Sequence, residues 1–155
     1  MRESLFRGKP KNKADYQLFA QIWKDNCKNG FVFGSLVVSE GKFYICVAAL
    51  CAVNSLINNG ITTMIEVIPE TVGQYTGLTD KNGKKIFERD IVKYCETKGV
   101  INFGEGCYAV KDINSKNNPA LDIVLNGYKC EIKVIGNIYD NPELLKGGCC
   151  NGIHS

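Results

Sequence analysis

The apolar positions of this chain change period several times. Tyr16, Phe19, Ile22 and Trp23 fall at i, i+3, i+6 and i+7, which predicts one face of a short helix near residues 15–24 with Asp15 as its cap. Asn29-Gly30 stops it. Phe31–Ser39 and Lys42–Val47 read as two strands joined at Glu40-Gly41, a hairpin signal. Ala49, Val53, Leu56 and Ile57 return to helical spacing ahead of Asn58-Asn59-Gly60, so a second short helix is expected from Ala48 to Asn58. Thr62–Ile68 is β-branched and ends at Pro69, and Arg2–Arg7 reads as a short opening strand.

Beyond Val72 the punctuation is dense. Gly73, Gly77 and Asp80-Lys81-Asn82-Gly83 are turn chemistry, with Asn82-Gly83 suited to a tight turn. Lys85–Phe87, Ile91–Tyr94, Gly99–Phe103 and Cys107–Asp112 read as short strands, the last two joined by Gly104-Glu105-Gly106. Leu121–Leu125 and Cys130–Ile135 flank Asn126-Gly127, another hairpin signature, and Pro142 opens a single helical turn. The expected fold is mainly β (α+β). A mixed α/β part over 1–70, with the helix near 15–24, packs with a small five-stranded barrel of the Src-homology-3 kind over 71–145, and 146–155 form a disordered tail.

Charge changes this picture only locally. The 155 residues carry a net +3. Residues 1–28 hold seven Lys/Arg against three acids, so the basic excess lies at the start of the chain. This is far from the bias of a dedicated nucleic-acid binder. Residues 1–30 are charged throughout with no apolar signal core, and the run Phe43–Val53 falls short of the ~20 apolar residues a bilayer span needs. The expectation is a cytosolic protein with no membrane segment.

The eight cysteines include no C-x-x-C pair, which removes the zinc-ribbon reading. In a reducing compartment a disulfide framework is not expected. Cys46, Cys51, Cys95, Cys107 and Cys130 lie in apolar or strand-like stretches and are expected as small buried hydrophobes. Cys149-Cys150 fall in a Gly-rich tail. The one histidine, His154, is the penultimate residue, where no rigid scaffold holds an imidazole.

Other chemical signatures fail on spacing. Gly77 and Gly83-Lys84 are one residue too far apart for a phosphate loop, and Lys85 stands where Ser or Thr would meet magnesium. A calcium loop with Gly83 sixth puts Leu78 first and Arg89 twelfth, where carboxylates are required. Gly104-Glu105-Gly106-Cys107-Tyr108-Ala109 matches a loose dinucleotide fingerprint, but strand rather than helix follows it. Glu88, Asp90 and Glu96 stand among Lys84, Lys85, Arg89 and Lys93, a pattern expected of a solvated charged face. No catalytic residue, metal site or cofactor is assigned.

Long ordered blocks carry a resemblance. They are Phe31-Val32-Phe33-Gly34-Ser35-Leu36, the run from Pro69 to Gly83, its continuation Lys84-Lys85-Ile86-Phe87-Glu88-Arg89-Asp90-Ile91-Val92, and the closing run from Val134 to Leu145. Together with Phe6-Arg7-Gly8 they resemble the YopX-like family of phage and prophage proteins. Three departures stand out. Arg89 occupies a position where the family pattern has Gly, residues 10–28 look like an insertion, and 146–155 look like an added tail. The resemblance implies a phage-encoded accessory protein of mostly β fold, and it supplies no catalytic residue.

The resulting expectation is a non-enzymatic binding protein acting as a homo-oligomer. Its partner classes are a host protein, a nucleic acid, or a small nucleotide-like ligand held for counter-defence. The candidate binding surface combines aromatic and basic residues of the small barrel: Tyr75, Lys84, Lys85, Arg89, Asp90, Lys93 and Tyr94.

Overall fold

A computed structural model describes residues 4–49, 61–114, 119–120 and 131–146. The chain divides into two compact units, Met1–Tyr75 and Thr76–Ser155. Antiparallel strands dominate both, so the mainly β expectation holds at that level.

The first unit opens with β1 (Phe6–Gly8) and α1 (Lys13–Ile22). A single 3₁₀ turn at Lys24–Asn26 leads to β2 (Cys27–Lys28), β3 (Phe31–Ser39), β4 (Lys42–Ala49) and β5 (Ile61–Val67). A 3₁₀ turn at Pro69–Thr71 then leads into β6 (Gly73–Thr79). The order across the sheet is β5-β4-β3-β1, with β2 also on β3 and the start of β6 on β1. Register follows the alternation of side chains: Ile45 sits opposite Leu36 on one side and Ile65 on the other. Val32, Ile45, Val47, Ile65 and Val67 form the buried face, and Phe19 of α1 closes on it. Gly34 lies where β3 runs so close to β4 that any Cβ would meet the Cys46 carbonyl oxygen.

Three details of this unit differ from the sequence reading. The helix begins at Lys13, and its cap is Asn12 rather than Asp15: the Asn12 side chain accepts the Ala14 N–H at 2.8 Å. Ile22 is 65% exposed, while Phe19 is buried and Tyr16 and Trp23 pack beside it. At roughly 100° per residue Ile22 is turned well away from Tyr16, and Trp23 returns to their side. Finally, Ala48 and Ala49 continue strand β4 instead of starting a helix, because they stay in register with Thr62 and Ile61. The rest of that expected helix lies outside the described residues.

The second unit takes up β6 from Thr76 and continues with β7 (Lys85–Phe87), β8 (Asp90–Tyr94), β9 (Thr97–Gly104) and β10 (Cys107–Asp112). It ends with β11 (Lys133–Asn137) and a 3₁₀ turn at Pro142–Leu145. Its sheet has the order β10-β9-β8-β11. Ile86, Val92, Tyr94, Ile101, Val110, Ile132 and Val134 make its core, with Leu78 and Tyr108 against them.

Among the described residues the expected five-stranded barrel does not close. The described strands of the sheet run β10-β9-β8-β11, Ala120 bridges to Ala109 beyond β10, and β6 pairs with β7 outside this order. Gly73 and Gly77, expected in turns, lie within β6, where Gly77 takes a left-handed φ of 85° inside the strand. Phe87 is buried, but Phe103 is 56% exposed at the far end of β9, its ring edge-on to Tyr108 at 5.0 Å. The hairpin expected around Asn126-Gly127 lies outside the described residues.

The cysteines also depart from expectation. Cys95 and Cys107 are exposed, because each stands at the end of a hairpin ladder where the core has run out. Cys95 is disulfide-bonded, where a small buried hydrophobe in a chain without a disulfide framework is expected. Cys27, Cys46 and Cys107 are free, and partial burial pushes the Cys27 thiol up from its ordinary value. Cys51, Cys130, Cys149 and Cys150 lie outside the described residues.

Candidate functional site

The β8–β9 hairpin places the site. Its tip is Cys95-Glu96, so Tyr94 faces Thr97 and Lys93 faces Lys98 across the ladder. On its other side Lys93 faces Lys133 of β11. Val92, Tyr94 and Val134 point to the core, so their neighbours in each strand point to the opposite face. Lys133, Lys93 and Lys98 therefore stand in one row across three strands, and all three are exposed. On β10, Lys111 faces Val100 and so stands diagonal to Lys98 on the same face, also exposed. The four lysines form a band that crosses the whole four-stranded sheet.

Directly opposed residues in an antiparallel pair have Cα atoms about 4.5–5.5 Å apart, and diagonal ones about 7–8 Å. Like charges at such spacing repel. Near the band, Glu96 reaches Lys93 at 3.8 Å from the hairpin tip, with its own side chain 98% exposed. Glu131 is taken up by Lys81 at 2.6 Å, whose hydrogen bond and charge hold the carboxyl below its ordinary value.

The carboxylates of this unit that are buried serve the backbone. Asp80 is 6% exposed, and its Oδ1 accepts the N–H groups of Asn82 and Lys84 while Oδ2 accepts that of Val134. Asp90 is 2% exposed, and its Oδ2 accepts the Phe87 N–H at 2.9 Å. Among the described residues no three His, Cys, Asp or Glu side chains are grouped to share a metal ion. Among them, too, no helix is long and apolar enough to cross a membrane.

The residues singled out from the sequence separate into several places. Tyr75 belongs to the first unit and is buried, its N–H donating to the Leu5 carbonyl at 2.8 Å. Asp90 and Tyr94 are buried in the second unit, the Tyr94 hydroxyl donating to Asp112 at 3.4 Å. Lys84 is exposed at the β6–β7 turn and Lys85 is half-buried. Arg89 is exposed at the entry to β8, with a left-handed φ of 68°. Lys93 alone of the seven stands in the band. Lys98, Lys111 and Lys133 were missed. In Lys93-Tyr94-Cys95-Glu96-Thr97-Lys98 a two-residue turn sets the lysines face to face, and no ordinary turn residue marks it.

A model of the YopX protein family matches residues 20–146 of this chain. The chain belongs to the YopX family. That match takes in every element from the end of α1 to the last 3₁₀ turn, and all four lysines of the band. No curated protein matches this YopX-family chain. Among solved structures it is similar to the crystal structure of protein EF1440 from Enterococcus faecalis, at 22% identity and a TM-score of 0.44, over 72% of this chain and 86% of that one.

Proposed function

We propose that this YopX-family chain is a phage- or prophage-encoded accessory protein that binds a partner without catalysis, through the lysine-bearing face of the β8–β11 sheet. One contrast supports the reading. The interior carboxylates Asp80 and Asp90 spend oxygens on backbone N–H groups, whereas four ammonium groups are set outward in one band despite their mutual repulsion. A fold gains nothing from such a band, and a partner of opposite charge gains from all of it.

The test is comparative purification from host cells of the wild type and the triple variant Lys93→Glu, Lys98→Glu, Lys133→Glu. A macromolecule retained by the first and lost by the second is the expected result. The reading is overturned if both retain the same partner, or if the purified wild type turns over nucleotides or nucleic acid.

A further inference from the structure

We infer that the partner of this face is the phosphate backbone of double-stranded nucleic acid, bound without sequence preference. The inference rests on the binding-face reading and gives it a ligand.

Three features select this ligand. The first is shape. Lys133, Lys93, Lys98 and Lys111 lie one per strand on four adjacent strands, so the charges form a line and not a cluster. With strands ~4.8 Å apart the line runs about 14 Å, the scale of several consecutive phosphates on a duplex, where one strand advances ~3.4 Å per nucleotide. The second is side-chain type. All four are lysines, which meet phosphate as point charges and lack the rigid fork with which Arg reads a guanine edge. They hold a backbone and leave the sequence unread. The third is what surrounds them. Beside the lysines, the described residues sharing this face in β8, β9 and β10 are Ile91, Val100, Asn102, Gly104, Cys107 and Ala109, none of them aromatic. A single-stranded ligand gains much of its affinity by stacking bases on rings, and this face offers none among them. Phe103 and Tyr108 stand on the opposite face, two residues along from core-facing Ile101 and Val110. Ile91 is fully buried and Val100 half-buried, so neither projects to enter a bilayer.

The experiment is fluorescence anisotropy of the full chain with a labelled random-sequence DNA duplex, run beside vesicles containing phosphatidylserine. Four phosphate contacts predict a log–log salt slope of about −3.6. Each single Lys→Gln change at Lys93, Lys98, Lys111 or Lys133 lowers its magnitude by about 0.9. Lys93→Arg with Lys98→Arg keeps the slope, and Lys13→Gln on α1 leaves affinity unchanged. A melting curve for each variant establishes that it is folded. Duplex binding that disappears with the band lysines supports the inference. Duplex binding indifferent to those lysines, or none at low salt, overturns it. Vesicle binding that depends on the band, with no duplex binding, removes the nucleic acid and leaves the binding face standing. Loss of both ligands, with the triple glutamate variant still holding its cellular partner, removes both readings.

Discussion

Asp80 Oδ2 accepts the backbone N–H of Val134 at 3.0 Å, joining the β6–β7 turn to strand β11 across 54 positions of chain. The same segment adds a second link, Lys81 N–H to the Ile132 carbonyl at 3.0 Å. Asp80 thus does two jobs. Its Oδ1 shapes the turn through Asn82 and Lys84, and its Oδ2 occupies a β11 N–H that no described strand would otherwise meet. Asp80→Ala should lower stability by about 2–4 kcal/mol, since it leaves the Val134 N–H without its charged acceptor and frees the turn. Urea unfolding followed by far-ultraviolet circular dichroism measures this. A loss below half a unit would mean that water replaces the carboxylate in full.

The same contact sets an acid limit. Burial pushes the Asp80 carboxyl up, but the N–H groups of Val134, Lys84 and Asn82, aided by the Lys84 charge, outweigh it and hold the group below its ordinary 3.8. A carboxyl lowered on folding stabilises the fold above its unfolded pKa, and that stabilisation is lost as pH falls through the lower folded value. Wild-type stability should therefore drop as pH falls below about 4, and Asp80→Asn should lack that part of the drop. Glu66, lowered by the hydrogen bond from Lys11, is half-buried, but its partner Lys11 is exposed, so the pair contributes little. Melting temperature against pH for both proteins checks the difference.

Arg89 offers a gain of stability. The residue takes a left-handed φ of 68°, its N–H donates to Ile101 at 2.8 Å and its carbonyl accepts from Ile138 at 3.1 Å. The backbone of the turn is thus held on both sides in a conformation that suits glycine, and the Arg side chain stands in solvent. Arg89→Gly should stabilise by about 0.5–1 kcal/mol, the left-handed penalty for a Cβ less the entropy that glycine loses on folding. Chemical denaturation gives the sign directly, and a loss would show that the guanidinium holds the turn.

Gly34 is the opposite case. A Cβ there meets the Cys46 carbonyl oxygen, a backbone atom that cannot rotate aside. Gly34→Ala should cost about 1–3 kcal/mol through forced separation of β3 and β4. Retained stability would mean that the two strands slide apart without losing their ladder.

How much of this was legible depends on which residues mark the geometry. The β3–β4 hairpin was readable because Gly41 marks its turn, with φ of 51° at Glu40 and 73° at Gly41. The β8–β9 tip carries no Gly, Asn or Pro, and its left-handed residue is Cys95, so the turn that pairs Lys93 with Lys98 left no ordinary signal. Gly77 misled in the other direction, marking an irregularity inside β6 and not its end. Strand rhythm announced a small sheet, but closure into a barrel depends on which edges meet, and rhythm does not encode that. The candidate site failed for a related reason. Local charge made Lys84, Lys93 and Asp90 look alike, and only register sends Lys93 into a band, leaves Lys84 at a turn and turns Asp90 inward to the Phe87 N–H.

The lysine band yields a prediction in which stability and binding move in opposite directions. Lys98 faces Lys93, which also faces Lys133, so Lys93 has a lysine on each side, with the exposed Glu96 at 3.8 Å. Lys98→Glu turns one repulsive pair into an attractive one. Cross-strand charge pairs are worth about 0.2–1 kcal/mol, so the variant should melt higher than the wild type at low salt, with the gain shrinking as salt is added. The same change removes one phosphate contact and adds a repelling charge, so duplex affinity should fall by at least tenfold at low salt. A residue that functions only as part of a solvated surface gives no such opposition: its replacement alters stability slightly and binding not at all. If Lys98→Glu lowers stability while affinity is kept, the ammonium groups are supporting the hairpin through contacts of their own, and the band is a structural feature with no ligand to explain it.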